Sequence, residues 1–228
     1  MSNDCIEYLK KYLVAPSIES LPSIGADAVA LPEKWIDILS VEGIERITRV
    51  MGEWTKFERY LPDVVARLRG NLKSVDLLKN AAGYSLLYSI DSDKRILYYE
   101  AKNPLCRKMS ENVKLLWPQV PESLRNFYDF HDGFYYLASH SNGLSPTEDI
   151  RLMADDEWGI LDDIPEPPID MNKSMIFFNN GGAGYVFIDL SHPGKEEAAV
   201  LWWSNDKPTY DVNFWSTIDA WTAIGMEG

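Results

Sequence analysis

The sequence predicts an α+β fold in which a mostly antiparallel sheet packs against helices, and three observations carry that prediction. Between residues 54 and 68, Phe57, Leu61, Val64, Val65 and Leu68 recur at three- and four-residue steps with Glu and Arg between them, the pattern of an amphipathic helix. The runs Tyr84-Ser-Leu-Leu-Tyr-Ser-Ile90 and Arg95-Ile-Leu-Tyr-Tyr-Glu100 are rich in β-formers and flank the polar Asp91-Ser-Asp-Lys94, which reads as a β-hairpin. Met175-Ile-Phe-Phe178 and Tyr185-Val-Phe-Ile-Asp-Leu190 flank the glycine-rich Asn179-Asn-Gly-Gly-Ala-Gly184 and predict a second antiparallel pair.

The other elements follow in chain order. Helical spacing of Ile6, Leu9, Leu13 and Val14 predicts a short helix over 4–14, ending before Pro16. Residues 15–30 read as a connector, Pro32 opens a helix carrying Trp35, Ile36 and Leu39, and Gly43 separates it from 44–50. The amphipathic helix has a restart point at Pro62 and stops at Gly70-Asn71. Residues 72–82 read as a further helix. In the second half, Leu115-Leu-Trp-Pro-Gln-Val-Pro121 delivers a helix over 122–131, stopped by Asp132-Gly133 and followed by a strand over 134–137. No period survives over 138–173, which reads as one long irregular loop. A strand over 198–203 and a helix over 214–224 with Trp215, Ile218 and Trp221 close the chain. Trp202 and Trp203 occupy successive strand positions, so they face opposite sides, one in the core and the other at a surface or inter-element contact.

A chain of 228 residues buries roughly 70% of its unfolded surface on folding and needs no disulfide or metal to do so. Cys5 and Cys106 are expected to stay thiols. The first residues lack the basic start and apolar core of a secretory signal, and no apolar run reaches the length of a membrane span, so a cytoplasmic location is expected. The charge is unevenly distributed. Residues 1–105 hold 14 Lys and Arg against 15 Asp and Glu, whereas residues 106–228 hold 8 against 20. A surface with this excess repels phosphate backbones and anionic headgroups, which argues against nucleic acid and membranes and in favour of a basic protein partner.

The second half also carries an ordered series of motifs: Val120-Pro-Glu-Ser-Leu-Arg-Asn-Phe-Tyr128, His131-Asp-Gly133, Leu144-Ser-Pro-Thr-Glu148, Phe177-Phe-Asn-Asn-Gly-Gly-Ala-Gly-Tyr-Val-Phe-Ile-Asp-Leu190, Val200-Leu-Trp-Trp-Ser-Asn-Asp206, and the aromatic final helix. In order and spacing, residues 110–228 resemble the SUKH superfamily, which takes its name from Syd, US22 and Knr-type homologues and includes the yeast cell-wall-assembly regulators and many bacterial toxin-immunity proteins. The resemblance implies a curved, mostly antiparallel sheet packed against helices, no catalytic activity and no cofactor. Its commonest bacterial role is binding a toxin, and a regulatory scaffold of the yeast type is the alternative. Residues 1–105 lie outside the pattern and are expected to form a helical extension, ending in the β-hairpin and packed on the same body as a SUKH-like domain over 106–228.

Chemical motifs are weak by comparison. Asn179-Asn-Gly-Gly-Ala-Gly184 lacks the following helix that a phosphate cradle needs and reads as a tight turn. His131, His140 and His192 have no metal-ligand spacing, and a capping or loop role is expected for His131. No Gly-x-Ser-x-Gly elbow is present. The stretch 148–170 has nine carboxylates against Arg151 alone, interleaved with Trp158, Ile160, Leu161 and Ile164. Either it is a solvated loop folded back on the core, or it is an interface. On the second reading Glu148, Asp149, Asp155, Asp156, Glu157, Asp162 and Asp163 steer a basic toxin domain and Trp158 anchors it. No catalytic or metal-binding residue is expected, and the sequence leaves the oligomeric state open.

Overall fold

The computed structural model describes residues 3–158, 167–192, 198–204 and 206–227. In order, its elements are α1 (Asn3–Leu9), β1 (Ser17–Glu19), α2 (Leu21–Ile24), α3 (Glu33–Leu39), α4 (Gly43–Trp54), α5 (Pro62–Asn71), β2 (Leu72–Asn80), β3 (Gly83–Asp91) and β4 (Ile96–Lys102). They continue with α6 (Glu111–Leu116), α7 (Glu122–Phe130), β5 (Asp132–Tyr136), β6 (Ser141–Leu144), β7 (Arg151–Leu152), β8 (Ser174–Asn179), β9 (Gly184–Asp189), β10 (Ala198–Trp203), β11 (Thr209–Asn213) and α8 (Phe214–Gly225). The strands form one antiparallel sheet in the order β1-β2-β3-β4-β5-β6-β8-β9-β10-β11, with β7 pairing β8 beside β6. The fold is therefore α+β, and the sheet passes residue 105 without a break because β4 pairs directly with β5.

Alternation along the strands divides the sheet's two faces. Leu86, Tyr88 and Ile90 of β3, Leu97, Tyr99 and Ala101 of β4, and Phe134 of β5 enter the main core, which also takes Trp35, Trp54, Val64, Phe127, Phe130 and Ile218 from the helices. The opposite face carries two smaller clusters. Cys5 and Leu9 of α1 cover Leu78, Leu87 and Leu137 at one end, and Met153 and Trp158 cover Ile176, Phe187, Val200 and Trp202 at the other.

The N-terminal helices are tied to the second half by specific contacts. Trp35 Nε1 donates to the Phe130 carbonyl at 3.1 Å, and the Trp54 ring lies edge-on to Phe134 at 4.8 Å. The first turn of α5 has no side-chain cap of its own. The buried Asp219 carboxylate of α8 supplies one, accepting from Asp63 N at 3.1 Å and Val64 N at 2.9 Å.

Several expectations need correction. Residues 72–80 are strand, not helix: a bulge between Leu72 and Ser74 breaks the two-residue alternation, and pairing with β1 and β3 overrides the helical appearance. The expected first helix ends at Leu9, and the connector over 15–30 contains β1, α2 and a 3-10 turn. The region read as one irregular loop contains β6, β7 and a 3-10 turn, Met153–Asp155. His131 closes α7 through its backbone, yet its ring is fully buried, stacked on Phe130 at 3.7 Å and bonded through Nε2 to Tyr88 OH at 2.6 Å. It is a core residue rather than a loop residue. The Trp pair divides as expected: Trp202 is buried, while Trp203 is 38% exposed and rests on Trp221 of α8. Gly184 starts β9 directly, so no helix follows the glycine turn.

Candidate functional site

The junction between α7 and β5 organises a cleft on the sheet face opposite the main helical layer. Asp132 begins β5, and its carboxylate accepts from Thr147 N at 2.9 Å and Thr147 Oγ1 at 3.1 Å. Tyr128 OH donates to the Ser145 carbonyl at 2.7 Å, so segment 145–148 is held at both ends of the junction. Two glycines permit this closeness. Gly133 has φ +80 and a Cβ there would meet Pro146 N at 2.6 Å, and a Cβ on Gly143 would fall 1.9 Å from the Phe134 carbonyl oxygen.

Segment 145–148 presents Glu148 toward Lys102 of β4, which pairs with it, and toward Lys108 at 3.9 Å. Two residues before Lys102 on the same strand face stands Glu100, only 2% exposed. Its oxygens accept from Ser85 Oγ of β3 and Tyr135 OH of β5, each at 2.7 Å. Ser85, Glu100, Lys102, Lys108, Asp132 and Glu148 thus line one cleft of about 40 Å³. Burial pushes the Asp132 carboxyl above its ordinary range, against the two Thr147 hydrogen bonds that favour the charge, and burial likewise raises the Tyr135 phenol.

The acidic stretch divides into compensated and uncompensated groups. Asp149 pairs with His140 Nδ1 at 3.1 Å, and the hydrogen bond from His140 holds its carboxyl below the usual range. Asp156 takes Arg151 Nε at 2.9 and 2.8 Å and Nη2 at 2.8 Å, and Asp155 accepts from Leu152 N at 3.0 Å. Glu157 is exposed and makes no ion pair among the described residues. Trp158 is only 7% exposed, with its ring 4.9 Å from Trp202 and 5.6 Å from Tyr185 and its Nε1 donating to the Met153 carbonyl at 2.8 Å. Its ring belongs to the smaller core beneath the loop, which is the folded-back arrangement. Asp162 and Asp163, with Ile160, Leu161 and Ile164, lie outside the described residues.

Ser85 and Glu100 line the cleft and Tyr135 holds Glu100 from behind it; the acidic stretch includes none of them. A single glutamate closing the aromatic run Ile96-Leu-Tyr-Tyr-Glu100, on the face alternate to Tyr99, is the signal in the sequence that marks it. Among the described residues, no group of three or more His, Cys, Asp or Glu is arranged to hold a metal ion, and no helix is long and apolar enough to cross a membrane.

No curated protein matches the chain, and no solved structure does. The model of the SMI1 / KNR4 family (SUKH-1) matches residues 114–223, a span that contains α7, the strands β5 to β11 and most of α8. Proteins of this family are generally binding proteins without catalytic activity. Over residues 114–223 the chain is thus similar to the SMI1 / KNR4 family (SUKH-1), and the match supports membership of the SUKH superfamily.

Proposed function

We propose that this protein is an immunity protein that neutralises a basic toxin domain, such as a nuclease, by binding it directly. The observation that carries the reading is the charge of the family domain: residues 106–228 hold 20 Asp and Glu against 8 Lys and Arg, while residues 1–105 are nearly balanced. A nucleic-acid-degrading toxin needs a basic cleft, and a negative surface blocks such a cleft without reaching its catalytic groups. Glu148, Asp149, Asp155, Asp156 and Glu157, with Asp162 and Asp163, form the proposed docking stretch. Within it, Glu157 and Asp155 carry the most steering weight, because Arg151 already neutralises Asp156 and two lysines approach Glu148. The buried ring of Trp158 supports the loop from beneath instead of anchoring the partner.

Co-expression tests the reading. A basic toxin domain encoded beside this gene is expressed with and without the chain; the expected result is restored growth and a one-to-one complex on size-exclusion chromatography. Continued killing with no complex overturns it. The family match is equally compatible with a second reading, a regulatory scaffold without a toxin partner. A gene with no toxin neighbour, whose loss disturbs cell-wall assembly, supports that reading instead.

A further inference from the structure

We infer that the cleft between β3, β4 and segment 145–148 receives the guanidinium of one arginine side chain from the protein partner; the inference rests on the protein-binding reading above. Two carboxylates at the cleft are almost wholly removed from solvent, Glu100 at 2% and Asp132 at 3% exposure. Each ionised carboxylate offers about four lone-pair positions. Glu100 uses two, for Ser85 Oγ and Tyr135 OH, and Asp132 uses two, for Thr147 N and Oγ1. All four donors are neutral. Among the described residues neither carboxylate forms a salt bridge: Lys102 and Lys108 pair with Glu148, and Arg107, which together with Lys102 favours the Asp132 charge from a distance, pairs with Asp129. The cleft therefore has more acceptors than donors, and more negative charge than positive.

Size narrows the ligand further. A cavity of about 40 Å³ suits a side-chain head group, whereas pockets for whole cofactors or nucleotides run to several hundred Å³. A guanidinium is planar, carries five donors in a fixed fork and is weakly hydrated, so it fills several of the vacant acceptor positions at once. Charge-assisted bonds of this kind are the short, strong ones. An anion meets three carboxylates and two lysines that are already paired, which disfavours it. The cleft also joins Ser85 and Glu100, from the part of the chain before the family domain, to Asp132 and Glu148 within it. The inference therefore assigns a binding role to residues 1–105 as well.

The test uses the full chain and needs no toxin. Backbone amide shifts are followed during titration with Nα-acetyl-arginine methylamide, with the uncharged citrulline analogue and with inorganic phosphate. The expected result is saturable shifts at Ser85, Glu100, Asp132 and Glu148 with the arginine analogue, and at least about tenfold weaker binding of the citrulline analogue. Glu100→Gln, whose amide oxygen still accepts from one hydroxyl while its NH2 donates to the other once that hydroxyl turns to accept, weakens the arginine analogue by at least about tenfold. The comparison of the two analogues on the unmodified protein stands even where that variant folds poorly. No shifts at these amides, equal response to both analogues, or phosphate binding at the same amides overturns the inference. If the analogue fails while the toxin complex forms, the cleft assignment alone is lost. If the analogue binds while no basic toxin is neutralised, the immunity reading alone is lost.

Discussion

His131 is a fully buried imidazole in an aromatic cage, 5.8 Å from Trp35, 5.9 Å from Trp54 and 5.6 Å from Tyr88, and burial lowers its pKa from 6.5 to about 3. In the unfolded chain the same ring regains its ordinary value. Because the folded value is depressed, the stability held by the neutral ring is complete above about pH 6.5 and is lost as pH falls toward about 3. Each pH unit within that window is worth about 1.4 kcal/mol, so lowering pH from about 7.5 to about 4.5 removes about 3 kcal/mol. His131→Phe keeps an aromatic ring in the cage but cannot take up the proton. Asp132 and Asp219, raised by burial, shift stability in the opposite direction, and both proteins contain them, so their effect cancels in a comparison. Urea unfolding followed by the fluorescence of the eight tryptophans measures the difference. The stability of the parent relative to His131→Phe is expected to fall by about 3 kcal/mol between the two pH values. Parallel pH profiles for the two proteins refute the assignment of His131 as a buried neutral group.

Further outcomes follow from the same structure. Asp219→Ala leaves Asp63 N and Val64 N without their acceptor and is expected to lower unfolding free energy by about 1–2 kcal/mol in urea. Gly143→Ala places a Cβ against the Phe134 carbonyl and is expected to cost more than about 3 kcal/mol, whereas Gly182→Ala, with its nearest contact at 3.6 Å, stays within about 1 kcal/mol in the same assay. Trp158→Ala removes a buried indole and is expected to cost about 3–5 kcal/mol, while Glu157→Gln, on the exposed side of the same loop, changes stability by no more than about 0.5 kcal/mol.

Local signals in the sequence were sufficient where one element supplies its own pattern. The hairpin from β3 to β4 is visible because aromatic and β-branched residues flank a polar turn, and α5 is visible because Pro62 fits the first helical turn. β2 was hidden by its bulge, which moves Val75 and Leu77 out of simple alternation with Leu72. β6 and β7 are too short to carry a pattern of their own, and pairing makes them strands, β6 with β5 and β8 and β7 with β8. The carboxylates of the acidic stretch were legible as a run, but their partners were not, because Lys102 and His140 lie far from Glu148 or outside the stretch in sequence. The run left open whether Trp158 folds back on the core or anchors a partner, and only the sheet face beneath it, with Trp202 and Tyr185, shows why it is buried. Glu100 belongs to the same class: its role depends on three adjacent strands.

In the proposed function, negative potential on residues 106–228 draws in a basic polypeptide. Its most direct test is the association rate constant for the basic toxin domain, measured from about 20 mM to about 500 mM salt with the parent chain and with a variant carrying Asp155→Asn, Glu157→Gln, Asp162→Asn and Asp163→Asn. The parent is expected to associate at about 10⁸ M⁻¹s⁻¹ or faster at the lowest salt and to slow at least about tenfold across the range, and the variant is expected to start slower and depend less on salt. Equal rates for the two proteins, unchanged by salt, contradict it.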